Sequence, residues 1–79
     1  MSYLTIAYVL LNIEIGAEKE VLKELESISE VTESNTVYGV YDIITKIEAS
    51  TLEELKDIIS HEIRRINRVR STLTMIVVE

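Results

Sequence analysis

The sequence predicts an α+β domain whose strands and helices follow one another in the order βαββαβ. Two kinds of segment support this order: four are rich in β-branched and aromatic residues, and two between them carry apolar residues at helical spacing. The length of 79 residues leaves room for one core only. We therefore treat residues 1–79 as a single domain.

The first predicted strand runs from Tyr3 to Ile15 and ends at Gly16. A strand with one face in water alternates apolar and polar residues, but this one is apolar on both faces. One face carries Leu4, Ile6, Tyr8 and Leu10, and the other carries Ala7, Val9, Leu11 and Ile13. Both faces are therefore expected to be buried.

The first helix is predicted from Ala17 to about Ser29. One apolar stripe at helical spacing supports it, formed by Val21, Leu22, Leu25 and Ile28. Two further strands follow over Val31–Tyr38 and Tyr41–Glu48, and they meet at Gly39 as in a hairpin. The first of these is the most polar strand and suits a sheet edge.

The second helix has a clear start, because Ser50-Thr51-Leu52-Glu53-Glu54 contains two overlapping S/T-x-x-E pairs, the signature of a capping box. Its predicted apolar stripe consists of Leu52, Leu55, Ile59, Ile63 and Ile66. After Asn67, the last strand is predicted to run from Val69 almost to the C-terminus.

Right-handed crossovers turn this order into a four-stranded antiparallel sheet with both helices on one face, the ferredoxin-like arrangement. The uncovered apolar face is expected to pack against a second copy, as in dimeric α/β barrels. Each Ile, Val or Leu side chain that stays exposed loses the stabilisation of about 1.5–3 kcal/mol that its burial would give. Since a domain is stable by only about 5–15 kcal/mol, we expect an obligatory homodimer.

The composition excludes several classes of function. Eight basic and fourteen acidic residues give a net charge of −6, which opposes direct binding to nucleic acid or anionic lipid. The chain has no cysteine, and its longest apolar run, residues 6–11, is far shorter than the roughly 20 residues of a membrane span. We expect a cytoplasmic protein without membrane contact, metal or cofactor.

Catalytic groupings are also missing from the sequence. There is no evident nucleophile with a base, and the single histidine, His61, is interpreted as a partly exposed helix residue. The basic cluster of Arg64, Arg65, Arg68 and Arg70 suits the negative end of the second helix. The sequence therefore predicts a protein that is not an enzyme.

Two polar segments are candidate binding elements. At Gly39-Val40-Tyr41-Asp42, turn N–H groups could hold a carboxylate while Asp42 accepts hydrogen bonds from an ammonium group, which suits an amino acid. In Ser71-Thr72-Leu73-Thr74, Thr72 and Thr74 place two hydroxyls on one side of a strand. The alternatives are an ordinary turn and threonines that merely favour strands.

Taken in order, four segments resemble the C-terminal ligand-binding domain of the Lrp/AsnC family, the RAM domain of the feast/famine regulators. They are Ala7 to Glu14 (AYVLLNIE), Gly39 to Asp42 (GVYD), Leu52 to Leu55 (LEEL) and Val69 to Thr74 (VRSTLT). The resemblance implies dimers that assemble further, commonly to octamers, and that bind an amino acid between subunits. By motif, the ligand residues would be Gly39, Val40, Tyr41, Asp42, Ser71, Thr72 and Thr74.

Two departures from the family pattern bear on function. The first strand begins at Tyr3, where full-length members have a preceding helix-turn-helix, so the chain resembles the stand-alone members. Asn67-Arg68 stands where many relatives have a turn with glycine. The alternatives are a structural partner that joins full-length regulators without binding a ligand, and an enzyme of the dimeric α/β-barrel type.

Overall fold

A computed structural model describes residues 4–78, and within them the predicted βαββαβ order and the α+β class are confirmed. The elements are β1 (Thr5–Ile13), α1 (Glu18–Glu26), β2 (Val31–Thr36), β3 (Ile43–Ala49), α2 (Leu52–Ile58), a π-helical segment (Ile59–Ile63) and β4 (Val69–Ile76). Tyr3, the predicted start of β1, lies outside the described residues. No helix within residues 4–78 has the length and apolar character to span a membrane.

The four strands form one antiparallel sheet in the order β2-β3-β1-β4. This order confirms that the polar strand β2 is an edge strand, and it makes β4 the opposite edge. The two central strands are β3 and β1, which supply the strand residues of the core. Four strands in this order are the predicted ferredoxin-like sheet.

The core lies between one sheet face and the helices. Its strand residues are Ala7, Val9, Leu11 and Ile13 from β1 with Ile43, Ile47 and Ala49 from β3, and its helix residues include Val21, Leu25, Leu55, Ile58, Ile59 and Ile63. Thr45 is the buried polar residue among them. Its hydroxyl lies 2.8 Å from that of Ser34 and donates to the carbonyl of Glu33 at 3.0 Å, which offsets the cost of burial.

Both helices are shorter than the sequence predicts. Helix α1 ends at Glu26 rather than Ser29. The Ser27 hydroxyl donates to the Glu24 carbonyl at 2.7 Å, and the Ser27 N–H also bonds to that carbonyl, three residues back, which ends the regular α-helical pattern. In the second helix, the N–H of Arg64 bonds to the carbonyl of Ile59, five residues back. This π turn changes the hydrogen-bond spacing at the end of the second helix. Leu52, a predicted stripe residue at the first position of α2, is 43% exposed.

The sheet face opposite the helices is left uncovered by this chain, and it is largely apolar, with the ion pair of Lys46 and Glu48 lying opposite Tyr8 and Ile6. Cross-strand neighbours lie on one face of a sheet, so pairing of Leu10 with Ile44 and Leu73, and of Tyr8 with Met75, gathers these side chains there. We call these five residues, together with Ile6, the open face. The predicted apolar character of both faces of β1 is confirmed, while dimerisation stays a prediction.

Candidate functional site

One end of the sheet gathers the candidate binding segments. The last residues of β1, the loop between β2 and β3, and the first residues of β4 all meet there, because neighbouring strands run antiparallel. The β2–β3 loop spans residues 37–42 and is longer than a glycine turn, with a hydrogen bond of 2.9 Å from the Val37 N–H to the Asp42 carbonyl. At its tip, Gly39 has a φ of 157°, which side-chain-bearing residues rarely adopt.

Asp42 is fixed at this end of the sheet by two hydrogen bonds to β1. Its backbone N–H donates to the Leu11 carbonyl, and its carboxylate Oδ2 accepts from the Ile13 N–H, both at 2.9 Å. The side chain is half-buried. Within residues 4–78, the other carboxylate oxygen has no hydrogen-bond partner, so it is available to a ligand.

Asn12 and Ser71 are the polar neighbours of Asp42 at this end of the sheet. They are paired across β1 and β4, and the Asn12 side-chain amide donates to the Ser71 hydroxyl at 3.2 Å. Asn12 lies on the same sheet face as Leu10 of the open face, because the two are separated by one residue along the strand. The open face therefore ends in a polar pair.

A β-bulge places Arg70 beside this pair. Ser71 is opposite Asn12 and Val69 is opposite Ile13, so Arg70 is an extra residue between two successive pairs. A cavity of about 320 Å³ results, lined by Asn12, Ile13, Asp42, Arg70 and Ser71. Asp42 and Arg70 line the same space without forming an ion pair with each other.

Of the residues predicted from the motifs, Asp42 and Ser71 are brought together. Thr72 and Thr74 pair with Leu11 and Val9, so they lie on the helix side of the sheet, and Thr72 lines a separate cavity. The loop residues Gly39 and Val40 are exposed and Tyr41 is half-buried, and none of the three lines the cavity of Asp42. Within one protomer, the predicted ligand residues therefore form no single site.

Sequence reasoning missed Asn12 and Arg70 as site residues. Asn12 carries a signal, because it is the one polar side chain in the apolar stretch from Ile6 to Ile13 apart from a tyrosine hydroxyl. Arg70 does not, since its position depends on a bulge created by pairing with a distant strand. His61 is exposed in the π-helical segment, as interpreted. Within residues 4–78, no group of three His, Cys, Asp or Glu side chains could hold a metal ion.

Comparison with known proteins gives a consistent result. The family model described as the Lrp/AsnC ligand binding domain matches residues 6–79. The regulatory protein AsnC of Haemophilus influenzae is 36% identical over 58 residues, which are 73% of this chain and 39% of that protein. An uncharacterized HTH-type transcriptional regulator of Pyrococcus furiosus is 33% identical over 75 residues, covering 91% of this chain and 50% of the relative.

The fold comparison agrees with the sequence comparison. The crystal structure of FFRP-DM1 superposes with a TM-score of 0.90 at 38% identity, covering 94% of this chain and 99% of that one. The chain thus spans half or less of the two curated regulators, and nearly the whole of this solved chain.

Proposed function

The chain belongs to the Lrp/AsnC ligand-binding-domain family, and from this premise we propose that it senses a small amino acid and couples ligand binding to assembly. The observation that carries the proposal is the cavity in which Asp42 and Arg70 present opposite charges without pairing. A zwitterion supplies the two missing partners. Its ammonium group would bind Asp42, and its carboxylate would take the planar guanidinium of Arg70.

The lining suggests a small or polar side chain on the ligand. A volume of about 320 Å³ is at the lower end of the range for small-molecule sites, roughly 300–1,000 Å³. The Asn12 amide and the Ser71 hydroxyl are the remaining polar groups. They can exchange their mutual hydrogen bond for bonds to a ligand.

Assembly is the second part of the proposal. Two copies that pack their open faces together would bury six apolar side chains each, in the manner of a dimeric α/β barrel. The polar pair of Asn12 and Ser71 would then lie at the border of that interface. Thr72 and Thr74, which lie away from Asp42 within one protomer, would reach the ligand from a neighbouring subunit in a larger ring such as an octamer.

The same open face supports a second candidate function. A chain that offers this surface could join the matching domain of a full-length regulator and alter its assembly without binding a ligand. The two regulators compared with this chain are about twice as long, and the part of each that matches it would supply the second open face of a mixed assembly. The two candidate functions differ in one respect: the first requires ligand binding by Asp42, and the second does not.

A thermal-shift panel of the twenty amino acids, with sizing by analytical ultracentrifugation, tests the proposal. A ligand at 100 times its Kd stabilises by about 2.7 kcal/mol, which raises the Tm of a domain this small by roughly 10–20 °C. Asp42→Asn should abolish the response without dissociating the oligomer. Asp57→Asn, the same change on the exposed side of α2, is the matched control and should respond normally.

Three outcomes separate the hypotheses. A response in the wild type and in Asp57→Asn, but not in Asp42→Asn, supports amino-acid sensing through this cavity. If no amino acid changes either the Tm or the sedimentation coefficient, amino-acid sensing is wrong and the structural-partner function is favoured. A response that survives in Asp42→Asn would mean that the ligand binds elsewhere on the protein.

A further inference from the structure

A second cavity lies beside the first residues of β4 and shares Arg70 and Ser71 with the cavity of Asp42. It measures about 350 Å³ and is lined by Arg64, Val69, Arg70, Ser71 and Thr72. Its lining thus includes two arginines and two hydroxyl-bearing residues, and none of the lining residues is acidic. The cavity of Asp42, by contrast, has one group of each charge.

The charges around this cavity are unusual for so acidic a chain. Arg68 lies between the two arginines in sequence, and its guanidinium is 3.6 Å from Glu20 and 3.9 Å from Glu14. Within residues 4–78, Arg64 and Arg70 have no such acidic partner. In a protein with fourteen acidic and eight basic residues, these two cations converge where none of the lining residues is acidic.

The helix dipole accounts for only part of this arrangement. Arg64 follows the π-helical segment, where the negative end of a helix favours a cation. Arg70 lies on a strand, and the bulge between Asn12 and Ile13 sets its direction. Two unrelated structural features therefore bring the arginines to one cavity.

The backbone of β4 adds further donors. Within residues 4–78, β4 is an edge strand that pairs with β1 alone, so its outward N–H groups have no neighbouring strand there. The half-buried Thr72 carries a hydroxyl on the helix side of this edge, whereas the Ser71 hydroxyl is bonded to Asn12 on the open face. An oxyanion in this cavity could accept hydrogen bonds from guanidinium, hydroxyl and backbone groups together.

We propose that this cavity binds the phosphate group of a small phosphorylated metabolite. The planar forks of two arginines match the several oxygens of a phosphate, whereas a carboxylate has only two. The volume accommodates a phosphate with a small organic group attached. A nucleic acid is disfavoured as ligand, because a net charge of −6 repels its other phosphates.

The test is an NMR titration of the full chain with inorganic phosphate, followed through backbone amide shifts. Arg64→Gln removes a guanidinium that lines this cavity and not the cavity of Asp42. We expect it to raise the Kd for phosphate about tenfold, the effect of losing one charge-assisted hydrogen-bonding group. Arg70→Gln should weaken binding similarly.

Two matched controls make the result specific. Arg65→Gln removes the same charge one residue along the chain, from a side chain that lines a different cavity beside α1, and should change the Kd by less than about twofold. Asp42→Asn should leave phosphate binding intact, so that this proposal and amino-acid sensing stand or fall separately. The spectra of all variants report whether each has folded.

Saturable phosphate shifts at residues 64 and 69–72 that weaken in Arg64→Gln and Arg70→Gln, but not in Arg65→Gln, support the site. Equal weakening by all three arginine variants would overturn it, because it would reduce the effect to overall charge. Absence of saturation with phosphate, equal binding of acetate, or tighter binding of a short single-stranded oligonucleotide would also overturn it.

Discussion

The carboxylate of Asp42 accepts a hydrogen bond of 2.9 Å from the backbone N–H of Ile13. Pairing of β1 with β3 ends at Leu11 and Ile43, two residues before Ile13, so the Asp42 side chain continues the ladder beyond the last backbone pair. Asp42 therefore both ties the β2–β3 loop to β1 and carries the charge proposed to bind a ligand.

These two roles can be separated by two substitutions at this residue. Asp42→Ala removes the acceptor and leaves the N–H of the buried residue Ile13 without its partner, which should cost about 1–3 kcal/mol of unfolding free energy. Asp42→Asn keeps an oxygen that can accept the same bond and should cost clearly less. Urea unfolding of both variants measures the difference. Equal losses would mean that the charge, rather than the acceptor, stabilises this end of the sheet.

The pattern of apolar residues was sufficient to predict the fold. Both faces of β1 are apolar in the sequence, and the structure covers one with helices and leaves the other open. The extent of each helix was not predictable in the same way. The π turn after Ile58 and the early end of α1 at Glu26 depend on how each helix packs on the sheet, and periodicity alone does not contain that information.

The candidate site was predictable only where a local motif marked it. Asp42 follows a glycine-containing loop and could be recognised from the sequence, whereas Arg70 is placed by a bulge against residues nearly sixty positions earlier. Thr72 and Thr74 share one side of β4 as predicted, but register puts that side with Leu11 and Val9, away from Asp42. Register between distant strands is a non-local property, so short motifs cannot determine it.

Dimerisation through the open face predicts a contrast between two leucines of nearly equal exposure. Leu73 lies on the open face and is 44% exposed, while Leu52 begins α2 and is 43% exposed. Leu73→Glu would bury a carboxylate in the proposed interface, so sedimentation at micromolar concentration should show monomer or unfolded chain. Leu52→Glu adds the same charge near a helix N-terminus and should leave the dimer intact. If Leu73→Glu stays dimeric, the copies meet through another surface.

The start of α2 predicts which of two overlapping capping motifs is used. The Thr51 hydroxyl accepts from the Glu54 N–H at 3.1 Å, and the Glu54 carboxylate accepts from the Ser50 N–H at 3.1 Å. Thr51→Ala should therefore lower the unfolding free energy by about 1 kcal/mol. Ser50→Ala keeps the backbone N–H that is used and should change it by less than about 0.5 kcal/mol. Thermal unfolding of the two variants decides, and the reverse ranking would place the cap at Ser50.

The turn into β4 forces Arg68 into a left-handed conformation, with a φ of 73°. Its carbonyl accepts from the Glu14 N–H at 2.8 Å, which holds the turn against the end of β1. Left-handed backbone costs a side-chain-bearing residue roughly 1–2 kcal/mol, and glycine avoids that cost. This explains physically why a glycine suits the position, and why an arginine there needs compensation from Glu14 and Glu20.

A comparison of Arg68→Gly with Arg68→Ala isolates the backbone term, because both variants lose the same two exposed ion pairs. Those pairs contribute up to about 1 kcal/mol each. We expect the glycine variant to be more stable than the alanine variant by about 1 kcal/mol in urea unfolding, and to lie close to the wild type since the two effects offset each other. An alanine variant as stable as the glycine variant would mean that residue 68 is not left-handed in solution. Relief of backbone strain would then not explain why glycine suits position 68.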